Sequence, residues 1–267
     1  IYNIVDMVVV GQYIGGAGMS AVSIGGDLLH LLTFVAMGFS NAGQVIISQF
    51  IGAGQKRKVG AFTGTMFTFL LGFAVVLGGI CLLFRQGILG LMNTPEAAWQ
   101  EALNYSTVCI LGLVFIYGYN MVSAVLRGMG DSKRPFLFIG IASLVNLVLD
   151  LLFTGYWGWG VAGAAWATIL SQALSGILCT VVIFSHYDSL RVQKGEWRFD
   201  PALARRLVGM GLPMGLQFSI TAIGSVTVTV AVNGLGTIAV AAVTAAGKLS
   251  MLFNIVIDAL ASAMATF

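Results

Sequence analysis

The chain has 267 residues, of which 58% are hydrophobic and only 9% charged, with a net charge of +3 and a mean hydropathy of +0.95. Soluble domains carry about 25% charged residues, so this composition excludes a soluble globular domain. Apolar runs of about 20 residues, without alternating ten-residue segments, predict an all-α polytopic membrane protein. The 35 glycines, many beside Ala and Ser, suit close helix packing in lipid.

Polar or Gly-rich connectors divide the chain into about eight predicted helical spans. The first span, ending near Tyr13, and the last span begin or stop inside apolar runs. We therefore expect both to be partial and the chain to be a fragment of a longer protein. The remaining boundaries are predicted at 17–51, 59–84, 98–126, 136–155, 159–185, 206–232 and 237–267.

Basic residues cluster in alternate connectors, which indicates topology because Lys and Arg in short loops stay on the cytoplasmic side. Eleven of the thirteen cations fall in three such connectors: Lys56, Arg57, Lys58, Arg127, Lys133, Arg134, Arg191, Lys194, Arg198, Arg205 and Arg206. Trp157 and Trp159 lie in an opposite connector and are typical interfacial anchors. We expect a multi-pass protein of the bacterial cytoplasmic (inner) membrane with a cytoplasmic N-terminus.

An internal repeat predicts two halves. A shift of 221 positions places Gly15, Ala21, Val22, Gly26, Leu28, Leu31 and Ala42 on Gly236, Ala242, Val243, Gly247, Leu249, Leu252 and Ala263. Chance matches in a Gly/Ala-rich chain are the alternative, but duplicated bundles with a site at their interface are common among secondary transporters. The predicted units are an N-terminal six-helix bundle at 1–186, a cytoplasmic linker at 187–205 and the start of a C-terminal bundle at 206–267.

Four polar residues are predicted at similar depths in the membrane. Asn146 and Asp150 are spaced i, i+4 on one helix face. With a rise of 1.5 Å per residue, Asp6 and Asp150 lie about 9 Å, and Asn146 and Thr168 about 14 Å, from the outer turns. Two carboxylates in a poorly solvating layer favour a bound proton or small cation. Hydrogen bonds that only pack helices together are the alternative.

Asp27, His30 and Lys248 are candidate residues of a substrate cavity. Asp27 and Lys248 are equivalent in the repeat and lie about 15 Å deep by the same rise. An ion pair between them is the other interpretation. His30 shares a face with Asp27 at i+3, where a packed polar histidine is the simpler expectation.

Patterns typical of enzymes or metal centres are missing from the sequence: there is no HExxH motif and no phosphate-binding loop followed by Lys-Ser/Thr. Cys81, Cys109 and Cys179 lie in apolar runs without ligand spacing, so we expect buried thiols. The sequence therefore predicts no enzyme, no cofactor, and no metal site beyond Na⁺ as one candidate ion at Asp6, Asn146 and Asp150.

Seven motifs follow one another along the chain: Val5-Asp6 followed by Val-Gly-Gln-Tyr-Ile-Gly, Ile47–Gly54, Leu126–Pro135, Asn146–Asp150, Gly160–Thr168, Gly211-Leu-Pro213 and Met264–Phe267. In this order they resemble the motifs of the multidrug and toxic compound extrusion (MATE) family. The resemblance covers the whole chain. It implies a MATE-like fold, with two six-helix bundles around a V-shaped cavity, of which this chain supplies roughly the first two-thirds.

The resemblance also implies a function. Members export organic cations or other amphipathic compounds in exchange for H⁺ or Na⁺, and Asp6, Asn146, Asp150 and Thr168 match the cation site of their N-terminal bundle. We expect a small drug-like substrate, the lipid bilayer as surroundings, no nucleic acid partner, and a monomer at full length. Some members carry a glutamate early in the seventh helix, where this chain has Ser219 and Thr221.

Two other function classes stay open. A flippase for a lipid-linked oligosaccharide would share the architecture but would line its cleft with several cations, whereas Lys248 is the only deeply placed cation in the sequence. A channel or a structural membrane subunit would not need duplicated halves.

Overall fold

The structure, a computed structural model, describes residues 2–92, 94–186, 199–233, 257, 259–261 and 263–264. Its elements are α1 (Tyr2–Tyr13), α2 (Gly16–Gly52), α3 (Lys56–Leu91), α4 (Glu96–Leu111), α5 (Leu113–Gly128), α6 (Lys133–Asp150), a π-helical turn (Leu151–Tyr156), α7 (Gly160–His186) and α8 (Pro201–Asn233). Every regular element in these ranges is helical, so the predicted all-α class is confirmed.

Within the described ranges, four helical segments are long and apolar enough to cross a membrane: α2, α3, α6 with its π-helical turn, and α7. Helices α4 and α5 form a fifth candidate span that bends by 47°. This bent pair corresponds to the span predicted at 98–126. The bend falls at Gly112, where a Cβ atom would lie 2.3 Å from Cδ1 of Ile169, so only glycine lets α7 approach this closely.

Helix α8 begins five residues before the predicted start at 206. The backbone N–H of Ala202 donates to Oδ1 of Asp200 at 2.8 Å, which caps the first turn, and Pro201 suits the first helical position. Apolar periodicity misses this short turn because charged residues flank it, with Arg198 and Asp200 before it and Arg205 and Arg206 after it. Most of the predicted linker lies outside the described residues. The eighth span at 237–267 and the second copy of the repeat lie almost entirely outside them.

Helix α2 lies at the centre of the packing and contacts α1, α3, α4, α5, α7 and α8. Its aromatic and aliphatic side chains form the main core with those of α3 and α5, including Phe39, Ile46, Phe62, Met66 and Tyr117. The Tyr117 hydroxyl donates to the Leu32 carbonyl at 3.0 Å and so links α5 to α2 inside this core. Gly15, at φ 84°, forms the tight turn that returns the chain from α1 into α2.

The two ends of the bundle differ chemically. At the turn after α6, Trp157 and Trp159 stack on Phe153, with ring centroids 5.2 and 4.9 Å away, and both tryptophans are half exposed. Amphipathic rings in that position suit a membrane interface. At the opposite end, the Arg127 guanidinium donates to Gln44 Oε1 at 2.9 Å and to Ser123 Oγ at 2.6 Å.

Candidate functional site

The Asp6 carboxylate lies fully buried between α1, α4 and α7. The Thr168 hydroxyl of α7 donates to it, with Oγ1 3.0 Å from Oδ2 and 3.2 Å from Oδ1. The Tyr105 hydroxyl of α4 donates to Oδ2 at 3.1 Å. Two helices distant in sequence thus each supply a hydrogen-bond donor to one carboxylate of α1, which partly offsets the cost of burying it.

Asn146 and Asp150 of α6 complete the cluster, one helical turn apart and both fully buried. The Asn146 side-chain N–H donates to Thr168 Oγ1 at 3.3 Å. Asp150 lies close enough to Asp6 for the two carboxylates to interact electrostatically. No described residue donates a hydrogen bond to either Asp150 carboxylate oxygen or to Oδ1 of Asn146.

The cluster therefore holds two buried carboxylates and three oxygen acceptors without donors. Over the described ranges, the one ion pair joins Arg134 to Asp131 at 3.2 Å, and no group of three His, Cys, Asp or Glu side chains has metal-binding geometry. Carboxylate, amide and hydroxyl oxygens suit hard cations rather than soft transition metals. The arrangement can hold a proton or a small monovalent cation between Asp6 and Asp150.

The structure brings together all four residues grouped by depth along the sequence: Asp6, Asn146, Asp150 and Thr168. It adds Tyr105, which sequence reasoning missed. A tyrosine inside an apolar run is equally typical of a core or an interface, and its acceptor lies 99 positions away. In the structure the Tyr105 ring packs against Gly25 of α2, where a Cβ atom would lie 2.4 Å from the ring.

The other predicted site residues lie elsewhere. Asp27 and His30 are exposed on α2, on a different face from the side chains packed toward α4, and His30 is near enough to Asp27 to interact electrostatically. Lys248 lies outside the described residues, so the Asp27–Lys248 ion pair stays a prediction. Cys81, Cys109 and Cys179 are buried free thiols, as expected.

Comparison with known proteins identifies the family to which this chain is similar. The family model described as MatE matches residues 1–152. The "Probable multidrug resistance protein YpnP" of Bacillus subtilis (strain 168) is 30% identical over 240 residues, which cover 88% of this chain and 52% of that protein. The chain thus spans about half the length of the curated relatives it matches.

Solved structures agree in fold. The crystal structure of MATE in the straight conformation matches with a TM-score of 0.90 at 24% identity, over 99% of this chain and 59% of that one. A MOP superfamily transporter from Pyrococcus furiosus Vc1 (DSM3638), described as having a binding pocket of reverse polarity, matches with a TM-score of 0.82 at 25% identity, over 94% and 56%. On the family match and this shared architecture, the chain belongs to the MatE family.

Proposed function

We propose that this chain is the ion-coupling half of a secondary active antiporter that exports organic cations or amphipathic compounds in exchange for H⁺ or Na⁺. The observation that carries the proposal is the buried pair of Asp6 and Asp150, neither of which has a cationic partner among the described residues. Burying an ion costs several kcal/mol, and unpaired like charges add repulsion. A bound proton or Na⁺ removes that cost.

The two carboxylates differ in the hydrogen bonds that they accept. Asp6 accepts from Tyr105 and Thr168, so its charge is already partly compensated. No described residue donates a hydrogen bond to Asp150 or to Oδ1 of Asn146, which lies one helical turn earlier on α6. The arriving ion is therefore best held on the Asp150 side, with Asp6 as the second ligand.

This division suggests how ion binding moves helices. The cluster joins α1, α4, α6 and α7, so loading and unloading the ion changes the attraction among four helices at once. Asp150 is also the last residue of α6, directly before the π-helical turn. Single π-helical turns inside membrane helices often mark functional sites. We propose that ion entry from the outer side rearranges these helices and releases substrate outward, and that return to the cytoplasmic side releases the ion.

The wider arrangement follows from the same proposal. Residues 1–186 form the N-terminal six-helix bundle, α8 begins the C-terminal bundle, and the N-terminus faces the cytoplasm of a bacterial inner membrane. Support comes from the cationic ends of α3, α5 and α8, which match the expected cytoplasmic side. The relatives named as multidrug resistance proteins support a drug-like substrate.

A flippase of anionic lipid-linked sugars is less well supported. In the described ranges, the charged residue exposed in the middle of α2 is the acidic Asp27, whereas Arg and Lys side chains lie near helix ends. An acidic surface repels the pyrophosphate that such a substrate carries. The Pyrococcus relative with a pocket of reverse polarity makes this distinction worth testing directly.

The test is gradient-driven efflux by the complete gene product in proteoliposomes, with a pH gradient and a Na⁺ gradient imposed separately. Wild type should transport ethidium uphill with one of the two gradients. Asp150→Asn should lose at least 90% of this rate because the amide cannot carry the ion. Glu96→Gln makes the same chemical change on an exposed residue of α4 and should transport normally.

Three results would contradict the proposal. Uphill transport by Asp150→Asn at the wild-type rate would remove the carboxylate pair from coupling. Transport that needs neither gradient would exclude an antiporter and favour a channel. Transport of a lipid-linked pyrophosphate but of no cation would favour the flippase.

A further inference from the structure

Helix α7 buries its hydroxyl side chains and exposes its apolar ones. Thr168, Ser171 and Ser175 are at most 2% exposed, whereas Ile177 and Val181 are 59% and 58% exposed. We call these three hydroxyl residues the α7 hydroxyl line. The line begins at Thr168, inside the ion cluster, and at 1.5 Å per residue it extends about 10 Å along the helix axis, away from the end that carries Trp157 and Trp159.

Ser175 is the member of the line that lacks a hydrogen-bond partner. Hydroxyls in membrane helices often donate to their own backbone, and Ser171 does so, with Oγ 2.6 Å from the Ala167 carbonyl oxygen. Ser175 is 1% exposed, and no described residue hydrogen-bonds to its Oγ. A buried polar group without a partner costs free energy, so Ser175 marks a place where water or a passing ion would complete the hydrogen bonding.

The Arg127 guanidinium of α5 lies at the far end of the line. Cys179, one turn beyond Ser175 on the same face of α7, is close enough to Arg127 to interact electrostatically. Arg127 Nε donates to Gln44 Oε1 of α2 at 2.9 Å, and Nη1 donates to Ser123 Oγ of α5 at 2.6 Å. Helices α2 and α5 therefore fix one positive charge beside α7.

This positive charge is not neutralised by an ion pair in the described ranges, where the one salt bridge joins Arg134 to Asp131 at 3.2 Å. Asp131 also interacts electrostatically with Cys179, but both of its carboxylate oxygens accept hydrogen bonds from Arg134. A fixed arginine charge in a narrow polar path excludes protons and cations by repulsion. Arg127 is therefore placed to oppose a cation that moves along the hydroxyl line.

We propose that Arg127 is an electrostatic barrier that stops the coupling ion from leaking to the cytoplasm, along a path from the Asp6–Asp150 cluster past Ser175. The proposal rests on the proposed antiport and adds a residue that prevents uncoupled ion flow. An antiporter needs such a barrier because an ion that crosses without substrate dissipates the gradient that drives export.

The test is ion entry into proteoliposomes that hold the complete gene product and no substrate. An inside-negative potential drives entry, and Na⁺-sensitive and pH-sensitive dyes report it. Arg127→Gln removes the charge and should admit the coupling ion at least tenfold faster than wild type, whereas Arg127→Lys keeps the charge and should stay within twofold of wild type. A tenfold change in rate needs about 1.4 kcal/mol, and two unit charges within about 10 Å repel by more than this at an effective dielectric constant of about 20.

Double variants test the path of the leaking ion. Asp6→Asn added to Arg127→Gln should return the leak to within twofold of wild type, because the ion loses a carboxylate on its path. Ser175→Ala added to Arg127→Gln should slow the leak at least threefold. Ser185→Ala, which removes an exposed hydroxyl of α7 outside the line, should leave the Arg127→Gln leak unchanged.

Two further variants guard against effects on folding and surface charge. Arg205→Gln removes the charge of an exposed arginine of α8 and should keep the wild-type leak rate. If Arg127→Gln yields no monodisperse protein, Arg127→Met, which has an unbranched neutral side chain, replaces it. A wild-type leak rate in the neutral variant would overturn the proposal. Equal leaks in the neutral variant and in Arg127→Lys would indicate disturbed packing, and a leak that persists with Asp6→Asn would exclude the path; either result also overturns it.

The outcomes separate this proposal from the antiport mechanism. Wild type that exports no ethidium with either gradient, while Arg127→Gln leaks through Asp6, would refute antiport alone. Gradient-driven efflux by wild type without a leak in Arg127→Gln would refute the barrier alone.

Discussion

Thr168→Val removes a hydroxyl that hydrogen-bonds to both Asp6 and Asn146. Thr168 Oγ1 donates to Asp6 at 3.0 Å and accepts from Asn146 at 3.3 Å, and valine has nearly the same shape, so no cavity forms. A hydrogen bond to a charged group contributes about 1.5–3 kcal/mol in soluble proteins, whereas membrane helices average about 0.6 kcal/mol. We expect a loss of about 1–3 kcal/mol, which lowers the Tm in detergent by several degrees.

A transport assay distinguishes the role of the Thr168 hydroxyl from that of the Thr168 methyl group. Thr168→Ser keeps the hydroxyl and loses only a buried methyl group, about 1 kcal/mol. Thr168→Ser should therefore lower the Tm no more than Thr168→Val does, and the two variants should differ in activity. Initial rates of gradient-driven efflux should fall at least tenfold in Thr168→Val and stay within threefold of wild type in Thr168→Ser. Equal efflux by both variants would refute the role of these hydrogen bonds.

Two further predictions concern the contact between α2 and α8. Gly38→Ala forces a Cβ atom against the Gly215 backbone, so it should destabilise the protein by about 1–3 kcal/mol and lower its Tm. The control is Gly72→Ala in α3, where the added Cβ meets nothing within 4 Å; this variant should be neutral or slightly stabilising. Arg206→Ala loses the hydrogen bond to Gln49 and the contact with the Phe50 ring, so it should lower the stability measured in a thermal melt by about 1 kcal/mol. Arg205→Ala, at the exposed neighbouring position, is the control. Equal effects of the two substitutions would contradict a stabilising role of the Arg206 contacts.

The grouping of the four polar residues around Asp6 was predictable because helix geometry is regular. A constant rise per residue put Asp6, Asn146, Asp150 and Thr168 near one depth. Polar groups buried in an apolar layer cost free energy unless they are hydrogen-bonded, so these side chains were expected to contact one another. Depth does not define rotation about the helix axis. The sequence therefore could not show that the Tyr105 hydroxyl faces Asp6, nor that Asp150 is left without a donor.

Departures from regular helix were not predictable from hydropathy. Gly112 sits inside an apolar run, so hydropathy gave no sign of the bend between α4 and α5 or of the close approach of Ile169 on α7. The π-helical turn after Asp150 has ordinary apolar composition, so periodicity gave no signal. The early start of α8 at Pro201 depends on the cap from Asp200, whose polar surroundings hide it from an apolar pattern.

The central claim is that ion movement passes through the Asp6–Asp150 pair. The most direct measurement is ion flux driven by substrate: proteoliposomes holding the complete gene product are given an ethidium gradient, and the entry of H⁺ or Na⁺ is followed with no other driving force. Wild type should move one of these ions in step with ethidium, and Asp6→Asn should move neither while binding ethidium with an unchanged Kd. Ion flux in Asp6→Asn at the wild-type rate would contradict the coupling role of the pair.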